Sequence, residues 1–139
     1  MSHLRTALSV ALMIAGLAGC APTGETADVS AERGMQLYAE KCSACHGDDG
    51  RGAGPASLGL GDPPPDLTTL SAQNRGIFPR NFVMSVIDGF NRRNHPDSAM
   101  PEFGNQDLGP VIQVEDGGAS TPTPTDLIAL AAYLESIQE

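Results

Sequence analysis

Tryptophan is absent from the sequence, and only six residues are aromatic: Tyr38, Phe78, Phe82, Phe90, Phe103 and Tyr133. Large rings carry much of the weight of a conventional core, so a domain this poor in them must fill its middle with something else. Basic side chains are scarce too. Eight Lys and Arg stand against 17 Asp and Glu, a formal charge of −9, which excludes a nucleic-acid-binding protein because phosphate recognition needs a basic footprint. No apolar run reaches the ~20 residues of a membrane span. What is plentiful is loop chemistry, 16 glycines and 11 prolines in 139 residues. The length suits one domain, and 40% apolar residues suffice for a core. Together these features imply a prosthetic group.

The chain opens Met1-Ser2-His3-Leu4-Arg5, a short positive start, followed by an apolar run from Ala7 to Leu17. That run has the length of a signal-peptide h-region. It ends in Leu17-Ala18-Gly19-Cys20, which resembles the lipobox of bacterial lipoproteins, where the Cys is lipidated and the segment before it removed. The expected organisation is a cleaved signal peptide at 1–19, a flexible tether at 20–30 from lipidated Cys20, and one domain at 31–139. The alternative is an ordinary signal peptide cut nearby, giving a soluble periplasmic protein. Of three cysteines, Cys42 and Cys45 form one unit, so Cys20 is an odd thiol in an oxidising export compartment; lipidation accounts for it. Loss of residues 1–19 takes Arg5 with it and leaves a charge of −10. No Lys or Arg follows Arg93, so the C-terminal part is purely acidic; such polarity orients a partner or forms a solvated face.

Cys42-Ser43-Ala44-Cys45-His46 is C-x-x-C-H, the attachment signal of c-type haem. Two thiols three residues apart at a helix end can each form a thioether with a vinyl group on one edge of the macrocycle. The next residue, His46, then lies under the iron as proximal ligand. A thioredoxin-like redox pair would need a strand before the motif, where an amphipathic helix is expected instead. A zinc site would need a second close ligand pair, which the sequence after Cys20 lacks. From Ser30 to Ile137 the chain resembles the class I c-type cytochromes, monohaem proteins with this motif near the mature N-terminus. The resemblance implies an all-α, cytochrome c-like fold: three to four helices and long loops wrapped around one covalent haem c.

Met84, His95 and Met100 are the candidates for the second axial ligand. Met84 falls in a helix expected over Pro79–Phe90, pointing away from a stripe of Phe82, Val83, Val86, Ile87 and Phe90. His95 lies in Asn-His-Pro between helix and loop. Met100 precedes Pro101, which holds it out of the helical region, and Ser-Ala-Met-Pro resembles the axial-ligand loop of the family. Met100 is the expected ligand; a thioether opposite an imidazole raises the potential and suits one-electron transfer.

Ser30 is expected to cap a first helix, Ala31–Cys42, with Glu32 complementing its dipole. Thr125 is expected to cap a last helix, Asp126–Ile137, with Leu127, Leu130, Ala131 and Leu134 on one face. Gly34, Tyr38 and Tyr133 match the family pattern in which these helices cross at a glycine and are closed by aromatics. In the Gly/Pro-rich loop from His46 to Arg75, Pro55 resembles a recurrent proline that orients the His ring; its other reading is a plain turn proline. Asp48 and Asp49 lack the calcium-loop pattern and read as solvated. Arg51, Arg75 and Arg80 are candidates to meet the haem propionates. The insert 104–124 carries one short strand-like run, Val111–Val114, as a flap beside the haem edge or as an idle loop.

The function implied is a monohaem electron carrier in the respiratory chain of the cell envelope. It would be membrane-tethered on the periplasmic side and serve redox partners such as a membrane oxidoreductase or terminal oxidase, as a monomer or within a complex. One alternative is a haem-bearing subunit of a larger membrane oxidoreductase. The other is a small haem enzyme or sensor whose iron is open or linked to His95.

Overall fold

A computed structural model describes residues 27–91, 99–116 and 118–139. The signal segment, Cys20, most of the tether and His95 lie outside the described residues. The chain runs α1 (Ala31–Lys41), α2 (Ser43–His46), 3-10 turns at Pro55–Ser57 and Leu67–Thr69, α3 (Leu70–Gln73), α4 (Arg80–Asp88), a hairpin of β1 (Val111–Asp116) and β2 (Ala119–Pro124), and α5 (Thr125–Ser136). No helix among the described residues is long and apolar enough to cross a membrane.

Helix α1 starts where Ser30 accepts the Arg33 N–H at 3.2 Å, with Glu32 in the first turn and Lys41 in the last, both matched to the helix dipole. It ends one residue earlier than expected, because Cys42 leaves helical geometry as its C-cap. Helix α5 starts at Thr125 rather than after it. Pro124 is the N-cap and provides no side-chain hydrogen bond. Thr125 is instead buried, and its N–H donates to the Pro110 carbonyl at 2.9 Å.

The two helices form the frame. Leu127, Leu130, Ala131 and Leu134 are buried as the periodicity predicts, joined by Leu37 and Tyr38 from α1. Gly34 sits against α5 so closely that a Cβ there would lie 2.0 Å from the Ala129 carbonyl oxygen. Tyr38 and Tyr133 close the crossing with ring centroids 5.2 Å apart and planes tilted by 52°. Arg33 adds a fork onto Asp126, with Nε and Nη2 each 3.1 Å from Oδ1.

Two expectations need correction. Helix α4 is shorter than Pro79–Phe90, and it buries Val83 and Ile87 with Met84 half-buried, while Phe82 and Phe90 are exposed. Gly89, in the left-handed region at φ 96°, terminates it before Phe90 joins the face. The chain is mostly helical, as expected, but not purely so. Val111–Asp116 pairs with Ala119–Pro124 in an antiparallel sheet in which Pro122 and Pro124 face Gln113 and Val111. Prolines are tolerated there because a two-stranded ribbon has a free outer edge that needs no donor.

Candidate functional site

The Cys42–His46 segment is a single tight turn built directly on the end of α1. The Cys42 N–H donates to the Tyr38 carbonyl at 2.9 Å, the His46 N–H to Cys42 at 2.9 Å and the Gly47 N–H to Ser43 at 2.8 Å. Helix ends leave carbonyls without intrahelical partners. Here the following loop satisfies them, since Gly52 donates to the His46 carbonyl at 2.8 Å and Gly54 to that of Cys45 at 3.1 Å. A Cβ on Gly54 would lie 2.4 Å from the Ala44 carbonyl oxygen, so only glycine lets the loop lie against the turn. Cys42, Cys45 and His46 are thereby brought onto neighbouring sides of one fixed element.

The chemistry of these side chains separates the rival readings of C-x-x-C. Cys42 and Cys45 are free and half-buried. Burial pushes the Cys42 thiol up to about 11, the opposite of the lowered pKa that activates a dithiol redox pair. Among the described residues, no three His, Cys, Asp or Glu side chains converge into a metal-binding group, which disfavours a zinc site.

His46 is 8% exposed, and burial holds its pKa below the ordinary histidine value, keeping the imidazole neutral and its lone pair available to a metal. Nδ1 is buried and has no hydrogen-bond partner among the described residues. The backbone carbonyl of Pro65 is the group that favours the ring's protonated form against that burial. A neutral ring with one nitrogen turned into protein fits an axial ligand that binds through Nε2.

Pro55 opens the 3-10 turn at Pro55–Ser57, while the proline carbonyl that opposes the lowering of the His46 pKa is that of Pro65. Pro63-Pro64-Pro65 was the available signal: consecutive prolines hold an extended backbone whose carbonyls have few N–H competitors.

Met100 is half-buried and packs against the hydrophobic core, as do Cys42 and Met84. Its loop is pinned to the end of α4, where the Phe103 N–H donates to the Ile87 carbonyl at 3.1 Å and Gly104 to Asp88 at 3.0 Å. Phe103 is buried beneath it. Met84, on α4, also borders a groove of about 470 Å³ between that helix and β1. None of Cys42, Cys45, His46 or Met100 lines that groove, and Asn81 holds the hairpin there through Asp116.

Two of the three candidate arginines are engaged elsewhere. Arg51 pairs with Glu139, Asp66 and Asp49, and Arg80 with Glu135. Arg75 is exposed at φ 60° just past α3. Asp49 is exposed as expected, accepting the Arg51 N–H.

No curated protein and no solved structure matches the chain. The family model for cytochrome c matches residues 31–138, the same stretch that α1 opens and α5 closes. The chain belongs to the cytochrome c family, and a covalently attached haem c goes with that membership.

Proposed function

We propose that this protein, as a member of a family of haem-based electron carriers, carries single electrons between protein redox partners in the cell envelope, with Cys42 and Cys45 as the thioether anchors and His46 and Met100 as the axial ligands. The observation that carries this reading is the buried, neutral His46 on the same turn as the two thiols. When bound, the haem supplies reversible one-electron chemistry at iron.

The protein's own part is placement. The end of α1 and the Gly52 and Gly54 amides hold the His46 turn in one geometry. The Pro65 carbonyl acts on the imidazole, an outer contact of the kind that tunes ligand basicity. The Met100 loop, fixed through Phe103 and Gly104, brings a soft sulfur ligand to the core. Leu37, Leu127, Leu130 and Leu134 form the water-excluding wall behind it.

The location follows from the N-terminal sequence. Lipidated Cys20 would hold the domain at the periplasmic face of a membrane, raising its effective concentration near a membrane oxidoreductase or terminal oxidase. Either partner would meet an acidic protein, so a basic docking patch is the complementary surface. A haem-bearing subunit of such a complex is the same arrangement with a longer-lived contact.

The test is the spectrum of the purified holoprotein. Low-spin haem with a far-red iron–thioether band that Met100→Ala abolishes supports the carrier. A band that survives the substitution removes Met100, and rapid reaction of the wild type with carbon monoxide or peroxide favours an open-site enzyme or sensor. Cys20→Ser is expected to move the protein from membranes to the soluble envelope fraction, and unchanged fractionation contradicts the anchor.

A further inference from the structure

Tyr38 touches both ends of the Cys42–His46 turn. Its backbone carbonyl accepts the Cys42 N–H at 2.9 Å, and its hydroxyl donates to the Gly47 carbonyl at 2.7 Å. The side chain is 2% exposed, and its ring is held from the other helix by Tyr133. Gly47 follows His46 directly, and its carbonyl has one other donor, the Gly50 N–H at a longer 3.3 Å. The same short loop returns through Gly52, which donates to the His46 carbonyl, and through Gly50, whose carbonyl accepts the Leu67 N–H at 2.8 Å. Leu67 lies two residues after Pro65. The hydroxyl of Tyr38 thus closes a ring of contacts running from the turn, through the loop, to the Leu67 backbone.

We propose that Tyr38 is a positioning residue for the axial histidine: its buried hydroxyl fixes the peptide after His46 and so holds the imidazole in one orientation. The inference rests on His46 being the haem ligand. Packing alone needs only the ring of Tyr38, since stacking on Tyr133 uses no hydroxyl. A buried hydroxyl placed on the carbonyl next to the ligand does more. It limits rotation of the ring, and an imidazole held in one orientation is a stronger donor to oxidised iron.

The test compares wild-type, Tyr38→Phe and Tyr133→Phe holoproteins made in a host that attaches c-type haem. In Tyr38→Phe, exchange of the His46 ring N–H proton is expected to be about fivefold faster, the factor given by loss of one hydrogen bond of ordinary net strength. The reduction potential is expected to rise, because a weaker donor favours reduced iron. Tyr133→Phe removes the other hydroxyl of the stack and is expected to change neither. With only two tyrosines in the chain, fluorotyrosine incorporated in the Tyr133→Phe background reports on position 38 alone. Its more acidic hydroxyl is expected to slow the exchange and lower the potential. A Tyr38→Phe holoprotein with wild-type exchange and potential and only a lower melting temperature overturns the proposal. So does a fluorotyrosine protein that matches its unlabelled parent, which decides the matter if Tyr38→Phe yields no holoprotein. A wild type without haem overturns the functional reading instead, a result distinct from both.

Discussion

The two sides of the site are held in different ways. The His46 side is local: residues 38–67 bind one another through successive backbone hydrogen bonds, and the histidine and its turn lie within that stretch. The Met100 side is assembled at long range, with two backbone bonds tying residues 103 and 104 to the end of α4. A ligand fixed by its own neighbours holds its place as long as the local turn survives. A ligand fixed by the docking of a distant loop yields first when packing loosens. On the proposed ligation, the His46 side is therefore the rigid one, and ligand exchange is expected on the Met100 side.

The strongest way to break this contrast is to remove the thiols. Cys42→Ser with Cys45→Ser is expected to abolish covalent haem entirely, read as an apoprotein mass, with the Met100 loop sequence intact. Next comes the frame on which both sides depend. Gly34→Ala places a Cβ where the Ala129 carbonyl already stands, and overpacking against backbone is expected to cost about 3 kcal/mol in denaturant unfolding.

A smaller change separates the two sides. Gly104→Ala puts a Cβ 2.5 Å from the Asp88 carbonyl oxygen, and is expected to loosen the Met100 loop without touching the His46 turn. If the closed arrangement is weakened by about 1.4 kcal/mol, added imidazole binds the iron about tenfold more tightly; unchanged imidazole affinity contradicts a packing-dependent methionine. The smallest effect belongs to the hairpin. Val111→Ser, at a residue 61% exposed, is expected to move stability by no more than about 0.5 kcal/mol and leave the spectrum unchanged.

The same division decided what could be read from the amino acids. The Ser30 cap, the Leu127–Leu134 stripe, Gly34 and the Cys42–His46 motif are local or strictly periodic, and each lies where its pattern placed it. The misread features depend on distant partners. Thr-Pro-Thr-Pro reads as loop because its strand exists only by pairing with Val111–Asp116. The ion pairs of Arg51 and Arg80, both candidates for the propionates, were not legible because their carboxylates, Glu139 and Glu135, come from the far end of the chain. Phe82 and Phe90 satisfy a helical period, yet the helix stops at Asp88 and buries only Val83 and Ile87 of that stripe.

The most direct measurement is tandem mass spectrometry of the protein purified from a host competent in c-type maturation. The account predicts one haem carried by the peptide that contains both Cys42 and Cys45, with each sulfur bonded. Recovery of that peptide with two unmodified thiols would contradict it.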